Sequence, residues 1–521
     1  KGEALQSAAD YASASSVYLR TRLPALEGPP SSFLARVRYG SYGTVSPSLR
    51  YERRLRRMSL SAEAMYLGSR GDYPFRISDG ERDSTGRRVN GDIQAYRAEA
   101  GLFARPMGGD LRVHAYIYGS ERGLPGPVVR RLSDQYAATD RQWDRNMFLQ
   151  TSYRRVWDRF AVLFNAKGSC DYLEYLSDPA ENVAAPYTHN HYLQKDFYGS
   201  AALSYTPVPW LSMNMALDER WSDLTCDVKY FNYVQRFDTR AAVAANVRAG
   251  GFTSQASLLY TRVQDITRGG GGPLQRLTPT LTAGWSSGTW TLRTFYKSVF
   301  RAPTLNDLYY TLVGNADLRP ECALQWDLGC DWTPASGGVM DMKLSADIYL
   351  NRVRDKIVAM PVRSQFRWSM VNFGIVRGKG LDLSWNGILH MGGTSLRLLA
   401  GYGYEEARDC TDPSGSYYGG QIPYTPWHSG SFAADLSVGK WSACTSLLYT
   451  GVRYRTSDNM PQSRMKPWMT ADLSLSRDII IRTVNMNLGI EVNNLFNRQY
   501  EVVSRYPMPG TSIMTKLQIK I

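Results

Sequence analysis

Alternation of apolar and polar residues with a period of two runs through this chain from residue 33 to its end. In residues 340–350, apolar side chains at the even positions alternate with largely polar or charged side chains at the odd positions. Successive side chains of a β-strand point to opposite faces, so each such segment is predicted to be a two-faced strand. Strands are predicted at 33–42, 45–54, 58–67, 92–105, 111–119, 142–156, 160–169, 192–206, 211–222, 232–247, 252–263, 274–285, 289–299, 322–332, 340–357, 365–388, 394–407, 424–438, 441–453, 467–477, 484–493 and 512–521.

The connections between these 22 segments alternate in length. Connections such as 107–110 and 208–209 are short, whereas those between them, such as 120–141 and 409–423, are long. A soluble sandwich has no reason to sort its loops by parity, but outer-membrane barrels have short turns on one side and long loops on the other. We therefore predict an all-β fold, a 22-stranded antiparallel transmembrane β-barrel.

Composition agrees with a barrel that has a polar lumen. The chain is 43% hydrophobic with a mean hydropathy of -0.36, and no apolar run approaches the roughly 18 residues of a spanning helix. Its 34 tyrosines and 13 tryptophans often fall near predicted strand ends, as in the aromatic girdles of membrane barrels. High β-propensity alone would explain the number of aromatic residues but not their placement.

The formal net charge of +14 raises the question of nucleic acid. The basic residues are dispersed and form neither a helical stripe nor a recognised nucleic-acid motif, so no such partner is predicted. Lipopolysaccharide phosphates, or an anionic ligand drawn into a basic funnel, account for this charge. The six cysteines show no zinc-ligand spacing, and their connectivity is left open.

Two loop segments carry a family resemblance. The first is FRAPTLNDLYY (300–310) followed by GNADLRPE (314–321), and the second is NNLFN (493–497) followed by YPMPG (506–510). In that order they resemble the FRAP/NPDL region and the last loop of TonB-dependent outer-membrane receptors. The resemblance implies a multi-pass protein of a Gram-negative outer membrane that imports a bulky, scarce nutrient, with outer-membrane lipid, lipopolysaccharide and the TonB complex as partners.

The first thirty residues depart from the strand pattern. Residues 15–21 (SSVYLRT) resemble the last strand of the family's plug domain, and residues 24–30 are interpreted as a linker. We expect residues 1–30 to be the end of a plug and residues 31–521 to be the barrel, with the rest of the plug and the TonB box absent from this chain.

The search for catalytic groups finds no nucleophile elbow, phosphate loop or metalloprotease helix, so we predict that the chain is not an enzyme and has no cofactor. No metal ligand is assigned. His189 and His191 lie at the end of a long loop and could bind a metal or haem, although chance occurrence is the preferred interpretation.

Binding is expected to rest on tyrosine, arginine and polar side chains in the long loops, because these combine wide contact area with hydrogen bonding. The alternative is that the FRAP-like segment only shapes its loop. The predicted substrate-binding residues are Tyr73, Arg122, Arg301, Asn306, Asp307, Tyr309 and Tyr310.

The predicted ligand class rests on the amino-acid sequences of the two loop segments. They look most similar to cobalamin receptors of the Bacteroides group, and the histidine found between the two motifs of haem receptors is missing from residues 301–318. A corrinoid is therefore the first expectation, a ferric siderophore the second, and haem the third. A passive pore or a barrel that only binds at the surface are further alternatives, and a surface lipoprotein partner is left open.

Overall fold

A computed structural model describes residues 5–12, 29–78, 83–128, 139–178, 187–229, 231–270, 272–310, 313–334, 339–361 and 368–521. Regular structure in these residues is almost entirely β, with two short α-helices and 3-10 turns at Ser41–Gly43, Pro106–Gly108 and Pro461–Ser463. In chain order the helices and strands are α1 (Ala8–Ala12), β1 (Ser31–Gly40), β2 (Thr44–Leu55), β3 (Met58–Ser69), β4 (Pro74–Ser78), β5 (Asp83–Arg87), β6 (Ile93–Ala104), β7 (Asp110–Gly123), β8 (Arg141–Trp157), β9 (Phe160–Ser177), β10 (Thr188–Val208), β11 (Leu211–Cys226), β12 (Val234–Ala249), β13 (Phe252–Thr267), β14 (Leu274–Ser287), β15 (Trp290–Arg301), α2 (Leu305–Tyr309), β16 (Glu321–Trp332), β17 (Met340–Pro361), β18 (Trp368–Met391), β19 (Thr394–Asp409), β20 (His428–Val438), β21 (Trp441–Thr450), β22 (Arg453–Tyr454), β23 (Arg464–Met465), β24 (Trp468–Ile481), β25 (Val484–Asn493), β26 (Glu501–Val503), β27 (Tyr506–Pro507) and β28 (Ser512–Lys520).

Twenty-two of these strands form one closed antiparallel barrel. Each barrel strand pairs with the next, and β1 closes the sheet by pairing with β28, with Leu34 opposite Lys520 and Gly40 opposite Met514. The remaining six strands form three small hairpins, β4–β5, β22–β23 and β26–β27. The predicted fold class and strand count are therefore confirmed, and each predicted segment overlaps one barrel strand.

The outer face of the wall is apolar over its middle. In β13, the exposed Leu258 and Tyr260 alternate with the buried Leu259 and Thr261, as two-faced strands require. Exposed tryptophans cluster beside the short turns, where Trp290 lies 5.9 Å from Trp332 between ring centroids. This arrangement matches an apolar band with an aromatic girdle.

None of the helices in the described ranges has the length and apolar character needed to cross a membrane.

Strand boundaries differ from the prediction mainly at the long-loop end. β9 continues to Ser177 instead of residue 169, and β10 begins at Thr188 instead of residue 192. The ladder continues here with polar residues such as Glu174 and His189 on its outer face, so the apolar alternation that marks a strand fades. In contrast β20 begins only at His428, because Tyr424 has a positive φ of 58° and Pro426 has no N–H to donate.

Helix α1 lies against the inner wall. The backbone N–H groups of Ala8 and Ala9 donate to the Asp218 carboxylate at 3.1 and 2.7 Å, and Asn214 donates to the Tyr11 hydroxyl at 2.9 Å. Small wall residues such as Ala216 pack against it. The predicted plug strand at residues 15–21 lies outside the described residues, so the domain boundary at residue 30 stays a prediction.

Candidate functional site

The connection between β15 and β16 folds around the short helix α2, which begins in a capping box. The Thr304 hydroxyl accepts from the Asp307 N–H at 3.1 Å, and the Asp307 carboxylate accepts from the Thr304 N–H at 2.9 Å. The sequence Thr-Leu-Asn-Asp favours this arrangement because each side chain satisfies a backbone donor that the helix leaves free. Arg301 also donates to Asp307 at 2.9 Å, so this carboxylate holds the start of the loop.

A buried arginine of the wall fixes the loop from one side. Arg236 forms two hydrogen bonds to Asp265, at 2.6 and 2.7 Å, and donates a third to the Pro303 carbonyl at 2.6 Å. Close by, Leu305 is buried in a cluster that includes Leu224. Arg236 of β12 therefore holds the loop through a charge-assisted bond, and Leu224 of β11 holds it through an apolar contact.

Strand β18 fixes the other end of the loop. Asn315 donates to the Met370 carbonyl at 3.0 Å, and Arg319 and Asn372 exchange hydrogen bonds of 2.8 and 3.0 Å. The Arg319 guanidinium also contacts Asp355 at 2.6 Å. The loop is thus attached to opposite sides of its own hairpin.

Aromatic rings join the loop to the barrel wall. Tyr310 stacks on Tyr192 of β10 with ring centroids 5.5 Å apart, and Tyr309 meets Phe231 edge-on at 5.8 Å. Burial raises the pKa of the Tyr309 and Tyr310 hydroxyls above the ordinary tyrosine value. Both hydroxyls are therefore protonated at neutral pH and can donate hydrogen bonds to a ligand.

A cavity of about 550 Å³ lies next to these aromatic rings, on the lumen side of the barrel wall. Among the described residues, five aspartates and three cationic side chains line it. Two of the cations are paired with lining aspartates, Arg220 with Asp196 at 2.9 Å and Arg240 with Asp238 at 2.6 Å. The lining residues are Ala9, Asp144, Asn146, Lys167, Ser169, Asp171, Tyr172, Leu173, Tyr192, Gln194, Asp196, Tyr198, Asp218, Arg220, Leu224, Asp238, Arg240, Leu305, Asn306, Tyr309 and Tyr310.

Two further cavities lie against the same inner wall. One of about 590 Å³ adjoins the first, shares Asn306 and Leu305 with it, and is also lined by Arg301. The other, of about 1100 Å³, lies towards the short turns, where Arg293 bonds to Asp331 and Asp347 at 2.6 Å. The lumen is therefore polar along its length.

The structure brings most of the predicted binding residues together. Asn306, Tyr309 and Tyr310 line the first cavity, and Arg301 and Asn306 line the second. Asp307 is buried, and its carboxylate accepts hydrogen bonds from within the loop. Ligand contact by these residues stays a prediction.

The two predicted binding residues that belong to other loops, Arg122 and Tyr73, lie in different places. Arg122 pairs at 3.1 Å with Asp144, which lines the first cavity. Tyr73 does not line any of the three cavities. Its hydroxyl donates to the Pro507 carbonyl at 2.8 Å and its ring lies 5.8 Å from Tyr42, which ties an early loop to the last one.

Wall residues were the part of the site that the loop search missed. Tyr192, Gln194, Asp196 and Tyr198 all line the first cavity from the inner face of β10. Their signal in the sequence is a run of polar or aromatic side chains at every second position of one strand. The predicted binding residues all lie in predicted outer loops, and the inner faces of the predicted strands contain none of them.

Comparison with known proteins gives one family. A family model described as TonB dependent receptor-like, beta-barrel, matches residues 9–495. The vitamin B12 transporter BtuB of Vibrio vulnificus (strain YJ016) is 23% identical over 203 residues, which is 39% of this chain and 29% of that transporter. The chain thus matches less than a third of that relative's length.

Solved structures share the fold at low identity. The FrpB iron transporter of Neisseria meningitidis (F3-3 variant) superposes with a TM-score of 0.74 at 13% identity, over 95% of this chain and 82% of that one. The siderophore receptor PiuA of Acinetobacter baumannii gives a TM-score of 0.73 at 12% identity, over 95% and 82% of the two chains. The matched family consists of receptors, as expected for a chain that is not an enzyme. With a closed 22-stranded barrel and a family match across most of its length, this chain belongs to the TonB-dependent receptors of the Gram-negative outer membrane.

Proposed function

We propose that this receptor binds a corrinoid at the first cavity, from the long-loop, extracellular side, for import driven by the TonB complex. The observation that carries the proposal is the aromatic and polar lining formed where α2 and its following residue meet β10. The partial match to a vitamin B12 transporter points to the same ligand class.

The chemistry of the lining suits a large neutral ligand that is rich in amides. Corrinoids carry a wide, partly apolar ring with several peripheral amide groups. Tyr309 and Tyr310 offer ring surface and hydroxyl donors, while the carboxylates of Asp144 and Asp171 can accept from amide N–H groups. Pockets with an apolar wall and a few directed polar groups bind such ligands.

A ferric siderophore is the second candidate ligand. The lining has more aspartates than cationic side chains, and many ferric chelates are anionic, so like charges would oppose their binding. The second cavity is more basic, since Arg220, Arg236, Arg240 and Arg301 line it. That cavity is the observation that favours a siderophore, and haem is the least favoured of the three ligands.

Partners follow from the proposed function. The TonB complex would act through a plug segment, and outer-membrane lipid and lipopolysaccharide would surround the exposed apolar face. A surface lipoprotein that covers the long loops is retained as a further partner prediction. A strain that lacks TonB should bind the ligand at its surface and fail to accumulate it.

The proposal is tested by titrating the purified full-length receptor in detergent with cyanocobalamin, haemin and a ferric siderophore mixture, following tryptophan quenching. Saturable binding of cyanocobalamin alone is the expected result. Binding of a ferric chelate alone would replace the ligand and keep the receptor role. If none of the three binds, conductance in planar bilayers tests the passive pore, and unchanged uptake after deletion of the gene would favour a surface-binding barrel.

A further inference from the structure

A cluster of two histidines and two carboxylates lies at the long-loop end of β9 and β10. His189 and His191 are two residues apart on β10, so they share one face of the strand. Strand pairing places Glu174 of β9 directly opposite His191, with His189 its diagonal neighbour. The hairpin register therefore brings together three side chains that lie up to 17 residues apart in the sequence.

This cluster faces away from the lumen. On β10 the even-numbered residues Tyr192, Gln194 and Asp196 line the first cavity, and the odd-numbered Phe197 is 61% exposed on the other face. His189 and His191 have the same parity as Phe197. Glu174, His189 and His191 do not line the first cavity, and Tyr172, which does line it, contacts the cluster by donating to Glu174.

The ligand atoms are close enough to share one ion. His189 Nε2 lies 2.9 Å and His191 Nε2 3.7 Å from Glu174 Oε1, and the three candidate ligand atoms all lie within 4.8 Å of one another. The other oxygen of Glu174 accepts from the Tyr172 hydroxyl at 3.0 Å. Oε1 is thus turned towards the two imidazoles.

Asp227, which follows β11, fixes the orientation of His191. Its carboxylate lies 2.5 Å from His191 Nδ1 and accepts from the His191 backbone N–H at 2.8 Å. A carboxylate on Nδ1 fixes the ring orientation and directs Nε2 at Glu174, as in the outer shell of many zinc sites.

We propose that Glu174, His189 and His191 form a binding site for a divalent transition-metal ion, with zinc as the reference ion and Asp227 as a positioning residue. Two imidazoles and one carboxylate are a common set of three zinc ligands, and the exposed fourth position would take water. The carboxylate and imidazole donors favour zinc, copper or nickel over calcium.

The ion would join β9 and β10 above the membrane and, through Asp227, the segment that follows β11. The site would stabilise the wall beside the nutrient cavity and would not carry cargo, since its ligands face outwards.

The test is isothermal titration calorimetry, in which zinc chloride is added to the chelator-treated, full-length receptor in detergent. One ion should bind per chain, and His191→Ala and Glu174→Gln should each weaken binding by at least about tenfold. His114→Ala is the matched control, because His114 pairs with a single carboxylate, Glu99, at 3.1 Å and should leave zinc binding unchanged.

The Asp227→Asn variant tests whether Asp227 orients His191 for metal binding or only stabilises the local fold. It should weaken zinc binding by about 10-fold to 100-fold and shift the visible absorption of a bound cobalt ion, while His114→Ala shifts neither. Equal zinc affinity in wild type and His191→Ala, or the absence of zinc binding, would overturn the proposal. The fold of each variant is verified by heat-modifiable migration in gels, and cyanocobalamin titration is run separately so that failure at one site does not count against the other.

Discussion

Tyr310 stacks on Tyr192 with ring centroids 5.5 Å apart and ring planes inclined by 21°. Tyr310 directly follows α2, whereas Tyr192 belongs to the wall strand β10, so the pair joins the family-specific loop to the barrel. The two rings also border the first cavity. This contact thus helps to hold the loop and presents an aromatic surface to the lumen.

Replacing Tyr310 with alanine should weaken cyanocobalamin binding by about tenfold, or about 1.4 kcal/mol. The change removes ring surface from the ligand and from Tyr192 together. Tyr310→Phe should lose less, because it keeps the stack and removes only the hydroxyl. Affinities from tryptophan quenching decide this, with Tyr418→Ala, an exposed tyrosine of another loop, as control. Equal affinity in Tyr310→Ala and wild type would exclude Tyr310 from the site.

Loss of the Arg236 side chain should loosen the loop. Arg236→Ala removes the bond to the Pro303 carbonyl and leaves the partly buried Asp265 without this partner, at a cost of about 1–3 kcal/mol. Chymotryptic cleavage after Tyr309 or Tyr310 should therefore become about tenfold faster. Arg262→Ala on the next strand is the control, since Arg262 is exposed and donates to Gln264 instead of to the loop. Unchanged cleavage in Arg236→Ala would show that the loop does not depend on this arginine.

Asp307 is expected to affect ligand affinity by stabilising the loop, without contacting the ligand itself. Asp307→Ala removes the capping box and the contact with Arg301, which should cost the loop about 1 kcal/mol. Cyanocobalamin affinity and chymotryptic protection should then fall by the same factor. Asp307→Asn, which keeps an acceptor for the Thr304 N–H, should restore part of both. A loss of affinity with full protection would instead indicate direct contact with the ligand.

The barrel could be predicted from the sequence because a membrane-spanning wall imposes a strict alternation of apolar and polar residues. Lipid on one side and a polar lumen on the other force alternation in every strand, so the 22 segments could be laid down without knowledge of any contact. The pattern ends where the membrane ends. There Glu174 and His189 occupy outward positions that would be apolar lower in the wall, and β9 and β10 were predicted too short.

The candidate site could be predicted only in part from the sequence, because it depends on contacts between segments that are distant in the chain. The capping box at Thr304 and Asp307 is local and visible in the sequence. The stacking of Tyr310 on Tyr192 joins residues 118 positions apart, and the position of Glu174 beside His191 depends on the register of one hairpin. Neither the stack nor the register has a signature in a single sequence.

Gly40 should be required for barrel closure. A side chain at this position would meet the Ile513 carbonyl oxygen at 2.2 Å and the Met514 Cα at 2.8 Å, both on the backbone of the closing strand β28. Because backbone atoms cannot move aside without breaking the β1–β28 ladder, Gly40→Val should destabilise the barrel by about 1–3 kcal/mol. The urea midpoint of the heat-modifiable band should fall accordingly. Gly199→Val in β10 is the matched control, because no atom lies within 4 Å of its added Cβ. Equal midpoints for the two valine variants would mean that the first and last strands tolerate a wider spacing than the structure has.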